Sequence, residues 1–159
     1  MANDNAMQIA KANYAALCKM MDNRGWHYTP DDEKLIITCS FSGEDIPMKF
    51  LLHVRADREV VSLVSFLPFK MPEDKRIDGA LAVTVANHGM VNGCFDYDLS
   101  DGEVMFRLAT AFHDTVLSEE VYRYMILVAA STVDRYNDRF LMLAKGKSDI
   151  KQFIEEEND

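Results

Sequence analysis

The sequence predicts an α+β domain in two layers, a five-stranded antiparallel sheet with helices packed on one face. Three observations carry this. Apolar residues alternate with period two in several runs. The links between those runs are too short for the crossover of a dozen or more residues that parallel strands need. Stretches with apolar spacings of three and four precede, interrupt and follow the strands. The predicted order is α-β-β-β-α-β-β-α-α.

The first helix spans 4 to about 22, with Ala6, Ile9, Ala10, Asn13, Leu17 and Met20 on one face, Asp4 as its cap and Gly25 just past its end. Strands follow at 34–41, 47–56 and 59–66. The third, Glu59-Val-Val-Ser-Leu-Val-Ser-Phe66, is apolar on both faces and is expected at the centre of the sheet. Pro68 and Pro72 close it, and Pro72 suits the first position of a middle helix. That helix ends near residue 90 and is expected to bury Ile77, Leu81, Val85 and His88.

A hairpin pairs 93–99 with 103–108 across Ser100-Asp101-Gly102, where Asp-Gly favours a tight turn. Ser118 is placed to cap a long helix reaching about Ala144, with Val121, Met125, Val128, Thr132, Tyr136 and Phe140 inward. Gly146 stops it, Ser148 starts a short last helix, and the acidic end 155–159 is expected to fray. No repeat or linker divides the chain, so 1–159 reads as one domain.

Composition narrows the function. The chain has 159 residues, 48% apolar and 27% charged, enough to bury a core without a disulfide or metal staple. A net charge of −9 without a basic run argues against nucleic acid and anionic membranes as partners. Cys18, Cys39 and Cys94 are odd in number and widely spaced, which favours reduced thiols and a cytoplasmic location. The N-terminus lacks the pattern of a signal peptide, and no apolar run approaches the ~20 residues of a membrane span.

The residue types that could carry chemistry do not assemble into a site. Cys94 lies six residues from His88, but no third orienting group accompanies the pair, so a small thiol and a helix-end histidine explain them better. His113-Asp114 reads as a solvated loop, and His27 and His53 stand alone. Asp96, Asp98 and Asp101 lack the glycine and terminal glutamate of a calcium loop, and outward alternation accounts for them. The glycines form no phosphate cradle. No catalytic residue, cofactor or metal site is expected.

The connection Phe66-Leu-Pro-Phe-Lys-Met-Pro72 stands out because it places Phe66, Leu67, Phe69 and Met71 where a loop would expose them. They either cover one end of the core or belong to an apolar patch that meets a partner.

The stretch from Val85 to Arg107 resembles the YbjN-type domain family, with Asn87, Gly93, Phe95, Asp101, Gly102 and Arg107 in matching order. Leu117-Ser-Glu-Glu-Val121, the long helix and Asp134-Arg-Tyr136 are similar to that family as well. The resemblance implies a fold like that of type III secretion chaperones and the family label of sensory transduction regulator. It implies a tendency to bind protein, and no catalytic set.

The expectation is therefore a non-catalytic protein-interaction module, chaperone-like or a regulatory adaptor. Its binding surface is expected at Leu51, Val60, Phe66, Leu67, Phe69 and Met71. The alternative is a small-molecule sensor with its pocket between sheet and helices. A homodimer through the long helix or an open strand edge is also expected.

Overall fold

The computed structural model describes residues 4–158. Its elements are α1 (Asp4–Asn23), β1 (Tyr28–Asp31), β2 (Ile36–Phe41), β3 (Met48–Arg55), β4 (Val60–Lys70), a 3-10 turn (Glu73–Lys75), α2 (Arg76–Asn87), β5 (Cys94–Asp98), β6 (Glu103–Ala111), α3 (Glu119–Ala144) and α4 (Ile150–Asn158). The sheet is antiparallel throughout, in the order β1-β2-β3-β4-β6-β5.

The sheet has six strands, not five. The additional one, Tyr28–Asp31, pairs with β2 from Tyr28↔Cys39 to Asp31↔Ile36. Its four residues include Pro30, which cannot donate to a ladder and is tolerated on an edge strand. Too short to alternate and interrupted by proline, it carries no strand signal.

One face of the sheet packs on the helices and one does not. Ile37, Phe50, Leu52, Val61, Leu63, Phe106 and Leu108 point at the helices and are buried. The alternation in β3, with Met48, Phe50, Leu52 and Val54 buried and their neighbours half-buried or exposed, is the period of two read from sequence. As predicted from its two apolar faces, β4 is central, between β3 and β6.

The middle helix corrects the expected burial. Its inward face is Gly79, Ala82, Val83 and Ala86, while Ile77 is 65% exposed and Leu81 48%. His88 is exposed just past its end. Small residues let this helix sit close. A Cβ on Gly79 would come within 2.7 Å of both the Tyr97 hydroxyl and Met71 Cγ. Pro72 opens the 3-10 turn instead of the α-helix.

The long helix buries Met125, Tyr136 and Phe140 as predicted, with Tyr122, Ile126, Ala129, Val133, Asn137 and Leu143 rather than Val121, Val128 and Thr132. Ser118 takes the cap position, but its hydroxyl makes no capping bond. Gly146, at φ 67°, ends the helix as a Schellman motif, with its N–H on Leu143 O and the Lys147 N–H on Met142 O. The acidic end from residue 155 belongs to α4, which is helical to Asn158. Asp159 lies outside the described residues.

Candidate protein-binding surface

The uncovered sheet face is assembled from alternate residues of five strands. Register pairs run in one row from Thr38 to Leu51, Val64, Arg107 and Cys94. The neighbouring row pairs Phe66 with Met105. Leu51, Val64 and Met105 are half-buried, and Phe66 is 51% exposed. An apolar strip thus crosses the sheet, with no helix above it among the described residues.

Leu51, Val64 and Phe66 of the strip line a groove of about 780 Å³. Leu51, Val64, Phe66 and Pro68 supply apolar lining, Thr29, Thr38 and Ser40 supply hydroxyls, and Tyr28 and Pro47 form part of the wall. The basic side chains there are Lys49 and His27; no carboxylate is among the lining residues. That distribution differs in sign from the chain, which carries −9.

On the acidic side of the same face, Asp96 takes a two-pronged contact from Arg107, Nε–Oδ2 at 2.7 Å and Nη2–Oδ1 at 3.1 Å. The Cys94 thiol lies 3.8 Å from Asp96 Oδ1 and from Arg107 Nη2. His88 lines a cleft on the helical side with Arg135 and Glu157. The structure therefore gives Cys94 a carboxylate and a guanidinium as neighbours, and sends His88 to a different environment. Burial pushes the Cys39 thiol up to about 12, far from a reactive thiolate. Burial, then the nearby Arg55 charge, lowers His53 below the ordinary histidine value.

The six residues expected on the surface divide between two faces. Leu51 and Phe66 line the groove, and Val60 is half-buried between its register partners Arg55 and Ala111 on the same face. Leu67 also lines the groove but is largely buried, 6% exposed; Met71 is a core residue, 1% exposed, and Phe69 is half-buried against the core. The reason is that 66–70 is not a loop. β4 continues through Lys70, so its side chains keep alternating. Pro68 fits because pairing with β3 ends at Val64 and the β6 register shifts between Phe66 and Lys70, leaving no ladder bond for it to break. Val64, Lys49 and Met105 were not among the expected residues. Val64 was legible, since it shares parity with Val60 and Phe66.

The residues that carry the family resemblance have structural roles. Asn87 bonds the backbone of Phe95 with both ends of its amide. A Cβ on Gly93 would sit 2.4 Å from Phe106 Cζ, and one on Gly102 would sit 2.1 Å from Met71 O. Asp134 accepts the Glu44 N–H at 2.9 Å and so pins the β2–β3 loop to α3. Among the described residues, no group of three or more His, Cys, Asp or Glu could hold a metal ion, and no helix is long and apolar enough to cross a membrane.

A family model described as "Putative bacterial sensory transduction regulator" matches residues 13–142. Among solved structures, the chain is similar to YbjN from E. coli, titled a "putative transcription regulator", with TM-score 0.55 and 6% identity over 84% of this chain and 90% of that one. It is similar to an uncharacterized protein from Methanothermobacter thermautotrophicus, with TM-score 0.54 and 12% identity over 85% and 98% of the two chains. A chain of the HopA1–SchA chaperone–effector complex matches with TM-score 0.47 and 15% identity over 86% and 93%. No curated protein matches. With the family match spanning most of its length and its marker residues holding the β5–β6 hairpin and α3 in place, the chain belongs to the YbjN family.

Proposed function

We propose that this protein acts by binding another protein on its open sheet face, as a chaperone-like or regulatory adaptor rather than an enzyme. The observation that carries the reading is the uncovered apolar strip of Leu51, Val64, Phe66 and Met105, the first three of which line the groove. A water-facing apolar strip between polar rims is what an interface core looks like before its partner arrives. The groove's lining, which includes alternate residues of neighbouring strands, suits an extended segment, whose alternate side chains enter while the others face outward. The family description as a regulator is in keeping with a role exerted through a partner.

The test is capture of partners from the native host by wild type and by Phe66→Asp. Phe66 is half exposed, so the variant should fold with an unchanged melting temperature. Partners retained by wild type and lost by the variant support the reading. Equal recovery by both removes it.

A second copy of the chain is one occupant of the same face, and we include the homodimer in the proposal. Light scattering at low concentration tests it, and Phe66→Asp should return a dimer to monomer. The small-molecule reading keeps one supporting observation: the groove's volume lies in the range of about 300–1,000 Å³ typical of ligand pockets. Its place would be the open face and not the sheet–helix interface. A metabolite that raises the melting temperature of wild type but not of Phe66→Asp would favour it.

A further inference from the structure

A second binding feature sits on the helical side, at the groove between α2 and α3 that α4 fills. The groove floor is aromatic. Phe95, Tyr136 and Phe140 meet with ring centroids 5.1–5.5 Å apart about Phe95. Phe153 of α4 enters this floor, 5.3 Å from Phe140, and is 1% exposed. Arg139 stands over the Phe153 ring at 4.3 Å. Its guanidinium donates to Phe153 O at 2.8 Å, Glu156 Oε2 at 3.1 Å and Glu157 Oε2 at 2.8 Å. The Tyr136 hydroxyl donates to Glu157 Oε1 at 2.6 Å, and Arg135 approaches the same oxygen at 3.5 Å.

Three features mark α4 as a bound ligand more than a core helix. It has nine residues, below the roughly 12–15 at which an isolated helix holds together in water, so its form depends on the groove. The family match ends at residue 142 and thus contains the floor and Arg139 but not α4. The groove also outruns its occupant. A cleft of about 410 Å³ continues past Glu157 between Ala86, His88, Met90, Thr132 and Arg135.

We propose that the α2–α3 groove is a helix-binding site, that α4 occupies it as an internal ligand, and that an amphipathic partner helix displaces α4. The partner's chemistry is given by α4 itself. It carries an aromatic residue for the floor and carboxylates three and four positions later for Arg139, Arg135 and Tyr136, as Phe153, Glu156 and Glu157 do. A helix longer than α4 also fills the cleft beyond Glu157. This site is separate from the sheet face, so neither proposal depends on the other.

The probe is a fluorescein-labelled peptide with the sequence Ser148–Asn158, titrated into the full-length protein and followed by anisotropy. The wild-type chain should bind it weakly, because its own α4 competes. Glu156→Gln/Glu157→Gln weakens the internal ligand without touching the floor, and should bind the peptide about tenfold more tightly, a change of 1.4 kcal/mol. Adding Arg139→Ala to that double variant should abolish the gain. Tryptic cleavage after Lys145 or Lys147 should quicken as peptide is added, since displaced α4 exposes the hinge. Phe153→Ala is a second way to vacate the floor; should it not fold, the double glutamine variant decides alone. Binding no tighter to the folded double variant than to wild type, or binding that ignores Arg139, would overturn the proposal.

Discussion

The side-chain amide of Asn87 holds both main-chain polar groups of Phe95: Nδ2 donates to Phe95 O at 2.9 Å, and Phe95 N–H donates to Oδ1 at 2.7 Å. One side chain at the end of α2 thus takes the place of a strand beside the edge strand β5. An open edge is a template for pairing with another chain, and a bonded one is not. Asn87→Ala should therefore destabilise the fold by about 1–3 kcal/mol, the range for unsatisfied buried groups. It should also raise concentration-dependent association, seen by light scattering. A variant that stays as monodisperse as wild type would show that the amide does not guard the edge.

Asn13 is fully buried and satisfied on every side. Its Nδ2 donates to Ile9 O and Thr115 O, and its Oδ1 accepts from Leu117 N–H at 2.9 Å and from the Tyr122 hydroxyl at 2.6 Å. It fastens the segment before α3 to α1. Asn13→Ala takes their partner from the Leu117 N–H and the Thr115 carbonyl, while the Tyr122 hydroxyl keeps the Asn13 main-chain O at 3.1 Å, for a cost of about 3 kcal/mol. For a chain of this length the melting temperature should fall by roughly 6–12 °C in calorimetry. A fall under about 2 °C would contradict this.

Gly102 has φ 79°, and a Cβ there would lie 2.1 Å from Met71 O, while its own carbonyl accepts the Met71 N–H at 2.8 Å. The hairpin tip and the end of β4 are in backbone contact with no room between them. Gly102→Ala should cost about 1–3 kcal/mol, from the left-handed backbone and the forced separation. Gly146→Ala is a control: it shares the positive φ but has nothing within 4 Å of a Cβ, so it should cost less. Equal losses in chemical denaturation would assign the whole effect to φ.

Burial, then a hydrogen bond to Glu157, pushes the Tyr136 hydroxyl up to about 12, and burial raises Tyr122 in the same direction. An unfolded tyrosine titrates near 10. A group whose folded value is raised favours the fold fully below the unfolded value and loses that contribution as pH rises through the folded one. The melting temperature should hold to about pH 10 and fall from there toward pH 12. Glu157 runs the other way: burial opposes its charge, but bonds from Tyr136 and Arg139 outweigh it and lower the value. Its support for α4 is present above the ordinary carboxylate value and lost as pH falls through the lowered one. Melting curves between pH 3 and 12 check both signs, and Glu157→Gln should flatten part of the acid limb.

Much of this fold was legible in particular residues. Period-two runs located β2 and β3, and two apolar faces put β4 at the centre. What sequence hid has physical causes. Strand β1 is short, carries Pro30 and gains order only by pairing with β2. The middle helix packs through Gly79 and Ala82, so its largest apolar residues, Ile77 and Leu81, point the wrong way for a periodicity argument. Pro68 read as a strand end, although it sits where the ladder is interrupted. That one misreading put the buried Met71 on the surface and left out Val64, which lies between Leu51 and Phe66 on the open face.

The central claim, that the open sheet face binds a protein, is tested most directly by photo-cross-linking in the native host. A photoreactive residue at position 64 faces the groove; one at position 12 sits on an exposed site of α1 as control. The account predicts a discrete protein adduct from position 64, absent from position 12 and lost when Phe66→Asp is added. No adduct from position 64, or the same adducts from both positions, would contradict it.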